Sequence, residues 1–211
     1  MLLYFHREAQ TYTLFIENIN NIDTSIKNKD KTDETDYSKM NMKKKIAFIW
    51  EEIAMKLKQE VSIAKIAKEA EDLFRGGFFC SEAVVCSIRS NFDIDIPEEV
   101  IAMASGFPVG IGRSKCLCGA VSGGVMAIGL VFGRTVQKDP QVEQTLTLAK
   151  ELHDWFKNEA TGKNALCCRI LTKEFDMATG EHKEQCIAYT GLVAGKVAEM
   201  IVREKGLKNI D

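Results

Sequence analysis

The stretch KCLCGAVSGGVMAIGLVFGR, Lys115–Arg134, holds 18 consecutive uncharged residues between its terminal lysine and arginine. That is the lower limit for crossing a bilayer. Five glycines and two cysteines fall inside the run, and no second run of this kind exists elsewhere in the chain. The segment therefore reads as a buried central helix, Cys116–Phe132, and not as a membrane span. The spacing Gly119-x-x-x-Gly123, repeated at Gly129-x-x-x-Gly133, supports this. Small residues four apart leave a groove where another helix, or a cofactor, can approach the backbone closely.

Helical patterns surround this element. Ile46, Ile49, Trp50, Ile53 and Leu57 share one face, and so do Ile63, Ile66, Ala67, Ala70, Leu73 and Phe74, before the stop at Gly76-Gly77. Both sets follow the i, i+3, i+4, i+7 rule. A further helix is expected over Cys80–Ile88. Pro97 followed by Glu98 and Glu99 reads as a helix start, with proline near the first position and acids in the first turn. The loop GFPVGIGRSK that follows cannot be regular helix. Asp139-Pro140 reads as an N-cap and first-turn pair, opening a helix with Val142, Leu146, Ala149, Leu152 and Phe156 on one side. The last helix is expected from about Glu181 to Gly206, with Ile187, Ala194, Val197 and Ile201 inward. Apart from FDIDI (Phe92–Ile96), no alternating strand pattern is present. The fold class is thus all-α: a compact helical bundle around a buried glycine-rich central helix. Residues 1–42 are polar, without apolar period, and read as a flexible N-terminal extension. Residues 43–211 form the helical cysteine-containing domain.

Composition narrows the function classes. The 211-residue chain is 45% apolar, enough for a real core, and its net charge of -2 offers no field for nucleic acid or anionic membrane. Seven cysteines, an odd number with Cys167 and Cys168 adjacent, do not suit an extracellular disulfide framework. No secretory leader pattern is visible, so a reducing cytoplasm is the expected compartment. There, clustered cysteines point to metal or redox work.

Four cysteine blocks carry the chemistry. Cys118 starts the glycine-rich helix, Cys80 opens another helix after Gly76-Gly77, Cys168 lies in LCCRIL, and Cys186 lies in the first turns of the last helix. A helix N-terminus stabilises a thiolate through its free N–H groups and dipole. Four such thiolates from separate elements are able to converge on one site. The bland alternative is that each is a small buried residue. Gly106, Gly110 and Gly112 let the loop curl around something compact, and Gly119 leaves room beside the Cys118 sulfur. The spacing does not specify a metal, since no CxxC pair is present and Cys116-x-Cys118 is tighter than a usual zinc knuckle. Cys116 and Cys167 are candidate substitutes for their neighbours, or redox partners to them. Cys86 is expected in the core. His182 precedes Cys186 by four and could meet the same metal, although a solvated histidine is the simpler reading. His6 and His153 read as surface residues. Arg113 and Lys115 could offset an anionic cluster or simply solubilise the loop.

The segments AEDLFRGGFFCSEAVV (Ala70–Val85), GIGRSKCLCGAVSGGVMAIGLVFG (Gly110–Gly133), Phe156–Leu171 ending in CCRIL, and Cys186 together resemble the redox-active family named for its cysteine pattern, C_GCAxxG_C_C. The resemblance covers roughly residues 60 to 205. It implies that the family's four positions are Cys80, Cys118, Cys168 and Cys186. The family is also similar to the iron–sulfur part of split-Soret cytochromes, and its members tend to be encoded near transporters. This chain lacks CxxCH, so covalent c-type haem is not expected. GFPVGIG stands where a glycine run would be more usual.

The functional expectation is an iron–sulfur cluster held by four thiolates and used for electron transfer. The cluster would sit against Gly110, Gly112, Gly119 and Gly123. Three alternatives stay open: a metal-free thiol–disulfide module, a structural zinc site, and a helical partner-binding module tied to a transporter. The expected partners are an unassigned redox partner, a transporter or a second copy of the chain. No Ser/His/Asp set or paired acid and base is present, and no enzyme activity is assigned.

Overall fold

Ten of the fourteen residues of the helix Gly119–Phe132 are buried in the computed structural model, which describes residues 57–176 and 178–211. These residues lie within one compact unit, Met55–Asp211. The expected extension over residues 1–42, and the apolar face from Ile46 to Ile53, lie outside the described residues. Leu57 is described and buried.

In chain order the elements are β1 (Glu60–Val61), α1 (Ile63–Arg75), α2 (Cys80–Asn91), α3 (Glu99–Ala102) with a 3-10 turn Met103–Gly106, α4 (Gly119–Phe132), α5 (Val142–Trp155) with a π-helical turn Phe156–Ala160, α6 (Cys168–Leu171), α7 (His182–Lys205) and β2 (Lys208–Asn209). Among the described residues the fold is all-α but for one parallel pair of two-residue strands, β1 and β2, with Glu60 opposite Lys208 and Val61 opposite Asn209. The central helix α4 packs against α2, α5 and α7, and α1 packs against α7 and α2. Phe92, Phe132, Phe156, Ile66, Ile128 and Leu152 are among the fully buried side chains. Each such side chain contributes about 1.5–3 kcal/mol of transfer free energy. Among the described residues, no helix is long and apolar enough to cross a membrane.

Caps and short polar contacts fix the ends. Ser62 Oγ accepts from Lys65 N–H at 3.0 Å, and the Asp211 carboxylate accepts from Ala64 N–H at 3.0 Å. The β2 segment is thereby tied to the start of α1, where free N–H groups favour an anion. Gly206, left-handed at φ 64°, ends α7, the usual helix stop. Two buried hydroxyls reach backbone carbonyls across the bundle: Ser81 Oγ donates to Ala104 at 2.9 Å and Ser87 Oγ to Ile66 at 2.7 Å.

The small-residue grooves differ from the expected ones. A Cβ on Gly123 would lie 2.6 Å from the carbonyl oxygen of Ser81 and 2.8 Å from its Cα, so α2 and α4 touch backbone to backbone. By contrast, nothing lies within 4 Å of a Cβ on Gly129. The Gly129/Gly133 pair therefore carries no helix contact, and Gly133 stands at the C-cap of α4. A pair that the reading above does not include, Gly191 and Gly195 on α7, does that work against α1. A Cβ on Gly191 would meet Glu71 Cγ at 2.8 Å and the Ala67 carbonyl oxygen at 3.1 Å.

Three helix starts also shift. The central helix begins at Gly119 and not at Cys116, because Cys116 and Leu117 are extended and engaged elsewhere. The helix expected at Pro97 begins at Glu99 and gives way to the 3-10 turn at Met103. Asp139 caps a turn before the next helix: its Oδ1 accepts from Gln141 N–H at 2.9 Å, and α5 begins at Val142. The buried face of α5 runs through Leu148 and Leu152 to Phe156, leaving Leu146 57% exposed. In FDIDI, Phe92 and Ile94 are buried and Asp93 and Asp95 exposed, an alternation without a strand. Its Phe92 carbonyl accepts from Lys58 N–H at 3.1 Å.

Gly123→Ala forces the touching backbones apart and is expected to destabilise the fold by about 1–3 kcal/mol. Gly129→Ala fills open space in a helix interior and is expected to stabilise it by about 0.5–1 kcal/mol. Urea denaturation of the two variants checks both signs.

Candidate functional site

Two remote segments pair to form the floor of the site. Residues 115–118 run antiparallel to residues 166–169, with Leu117 opposite Cys167. Cys118 N–H donates to Leu166 C=O at 2.7 Å, Cys168 N–H to Cys116 C=O at 3.2 Å, and Arg169 N–H to Lys115 C=O at 3.1 Å. This pairing removes Cys116 from the central helix and sets Cys118 at the helix cap beside Cys168 at the first position of α6. Thr172, one turn later, donates its hydroxyl to the Cys168 carbonyl at 2.7 Å.

The preceding loop has the opposite hand to a helix. Val109, Gly110, Ile111, Gly112 and Arg113 all have positive φ, between 53° and 70°, and so does Lys115 at 58°. Left-handed backbone costs non-glycine residues roughly 1–2 kcal/mol each, and a β-branched residue there is an outlier. The run is held by Lys115 N–H to Val109 C=O at 3.0 Å and Cys116 N–H to Gly110 C=O at 3.2 Å. Gly110 is required: its φ is 70°, and a Cβ would lie 2.5 Å from the Cys116 nitrogen. The result aims the Val109 N–H at the Cys80 sulfur.

The thiols of Cys80, Cys118, Cys168 and Cys186 line one cavity of about 100 Å³. They come from four elements: Cys80 is the first residue of α2, Cys118 caps α4, Cys168 opens α6, and Cys186 lies one turn into α7. Phe74, Phe79 and Val109 supply apolar wall, with Thr172, His182 and Lys183 completing it. Gly119 is essential to this geometry, since a Cβ there would overlap the Cys80 sulfur. All seven cysteines are free thiols. Among the described residues, no three His, Cys, Asp or Glu side chains stand around a point as ligands of one ion.

The thiols differ in acidity. The Cys118 thiol donates to the Cys168 sulfur, and this, helped by the Gly119 N–H and opposed by burial, lowers Cys168 to about 7. The same hydrogen bond, then burial and the neighbouring sulfur charges, hold Cys118 well above the ordinary thiol value. Burial pushes Cys80 up to about 11 against the pull of the Val109 N–H, and pushes Cys186 up to about 12. Cys168 is thus the sulfur that ionises most readily, beside a Cys118 that keeps its proton, while burial favours the protonated form of Cys80 and Cys186.

Residues 78–200 match the family described as "Putative redox-active protein (C_GCAxxG_C_C)". The chain belongs to this family. Neither the curated proteins nor the solved structures contain a match to it. All four cavity cysteines of this C_GCAxxG_C_C protein fall inside the matched span.

The other predicted residues are placed as follows. Gly119 lies at the cavity through its contact with Cys80, whereas Gly123 serves helix packing and Gly110 closes the loop. Gly112 has open space around its Cα. Cys116 is exposed, Cys167 donates to the Lys115 carbonyl at 3.4 Å, and neither lines the cavity. Cys86 is half-buried and away from it. His182 is half-buried: it lines the cavity, and its Nδ1 is shielded from solvent. Arg113 and Lys115 are absent from the wall, where the cation is Lys183. His153 is at the surface beside Asp154, and His6 lies outside the described residues. The sequence marks Val109 only as part of GFPVGIG, a departure from a glycine run that alters the loop's shape, and does not single out Thr172. Thr172 had a readable signal, four positions after Cys168 on one helix face; the role of Val109 had none, because it comes from a left-handed backbone.

In reduced, metal-free protein, Cys168 is expected to ionise with a midpoint near 7. Its labelling by iodoacetamide therefore rises through neutral pH while Cys80 and Cys186 stay unreactive. Cys118→Ala removes the thiol donor and shifts the Cys168 midpoint upward. Peptide mass spectrometry across a pH series measures this, and identical profiles for Cys168 and Cys186 would contradict it.

Proposed function

We propose that the four cavity thiols hold an iron–sulfur cluster and that the protein transfers electrons through it. The observation that carries this is the convergence of Cys80, Cys118, Cys168 and Cys186 on one cavity from four separate elements. The donor set fits such a group: iron–sulfur clusters take four cysteine thiolates. The cavity they line, about 100 Å³, has room for a multi-atom occupant. A single zinc would need every sulfur about 2.3 Å from one centre.

Bound there, a cluster would supply one-electron transfer. The chain's own residues do the rest. Cys168 is the sulfur most ready to bind, being the most acidic thiol of the four. The N–H groups of Val109, Gly119 and Ala120 point at the sulfurs of Cys80, Cys168 and Cys118 and help hold their negative charge. Phe74, Phe79 and Val109 limit water. Hydrogen bonds to sulfur and low exposure are the protein's levers on cluster potential.

One observation favours a second reading, a metal-free dithiol: the hydrogen bond from the Cys118 thiol to the Cys168 thiolate. Oxidation of this thiol–thiolate pair to a disulfide releases one proton and two electrons, which, with one further proton from water, reduce a partner disulfide to two thiols.

Anaerobic purification is expected to give a brown protein with about four irons or fewer per chain. Serine at position 80, 118, 168 or 186 is expected to abolish most iron binding, whereas Cys86→Ser, Cys116→Ser and Cys167→Ser keep it. A colourless protein that takes up no iron from ferrous ion and sulfide sinks the cluster. A reversible loss of about 2 Da mapped to Cys118 and Cys168 in that same protein selects the dithiol.

A further inference from the structure

Buried polar atoms are almost always paired, and each exception calls for an account. Among the described residues, one buried side-chain nitrogen or oxygen has no hydrogen-bond partner: Nδ1 of His182. Leaving such an atom unpaired costs about 1–3 kcal/mol. His182 is the first residue of α7 and lines the same cavity as the four thiols. Cys186 follows four positions later, so the ring and that sulfur share one helix face.

The wall offers this nitrogen little else. No carboxylate lines the cavity. The Thr172 hydroxyl already donates to the Cys168 carbonyl, and the Lys183 ammonium, although on the same wall, makes no hydrogen bond to the ring nitrogen. His153 shows the contrast: it sits at the surface with its Nδ1 2.8 Å from Asp154 Oδ1. A neutral imidazole nitrogen is a common metal ligand, and its remaining natural partner here is whatever the thiols hold.

We propose that His182 supplies a fifth donor to the four-thiol site, coordinating iron through Nδ1. The inference rests on the cluster reading above and adds a nitrogen to its ligand set.

The test uses full-length protein labelled with ¹⁵N-histidine, isolated anaerobically and reduced with dithionite. Iron is measured on the same sample that is examined by electron–nuclear double resonance. A ¹⁵N coupling is expected in the native protein, kept in His153→Ala with its iron content unchanged, and lost in His182→Ala. If His182→Ala does not fold, labelled and unlabelled native protein still decide whether the coupling exists. Iron with no ¹⁵N coupling overturns the histidine assignment and leaves the four-thiol reading standing. Protein without iron overturns the cluster reading instead. Cadmium ion is then added to the reduced protein, and an unmoved His182 imidazole ¹⁵N resonance overturns the histidine assignment there as well.

Discussion

The short antiparallel pairing of residues 115–118 with residues 166–169 is the constraint on which the site depends. Without it, Cys118 and Cys168 belong to elements that have no reason to meet. The bond from Cys118 N–H to Leu166 C=O, 2.7 Å long, pins the cap of the central helix. Cys168 N–H does the same for the short helix α6 by reaching Cys116 C=O. Everything chemical at this end of the bundle follows from that pinning. The thiol–thiolate hydrogen bond, the approach of Cys80 through the gap left by Gly119, and the closing of the loop on Val109 all need these two caps in register.

Much of this was legible in the residues. The uncharged run after Lys115 announces a buried helix because nothing in it tolerates water, and ten of its helical residues are indeed buried. The period of Ile66 and Ala70, and of Ile187, Ala194, Val197 and Ile201, is the period of the faces these helices bury. The four cysteines that line the cavity are the four singled out from their positions near helix starts and from the family resemblance.

What escaped the sequence has physical reasons. A spacing of four between glycines does not say whether a neighbour arrives: Gly129 faces open space, while Gly191 receives α1. The face of α5 is displaced because Leu148, and not Leu146, meets the core. FDIDI alternates in burial without finding a strand partner. The left-handed run from Val109 to Arg113 is invisible to propensity, since two of its residues are β-branched and disfavour that conformation. Local preference is overruled there by the need to turn a backbone N–H toward a sulfur. The histidine was discounted because an isolated imidazole near a helix start is ordinarily wet. Only the packing at the start of α7 shields its Nδ1.

The starts of three helices of at least twelve residues, α2, α4 and α7, abut one small chamber. Each helix start carries a fixed partial positive charge, and the chamber wall adds a lysine. Such a setting lowers the energy of negative charge placed in the chamber, whether on a thiolate or on a bound group. Under the cluster reading proposed above, it favours the reduced form of the occupant and so raises its potential.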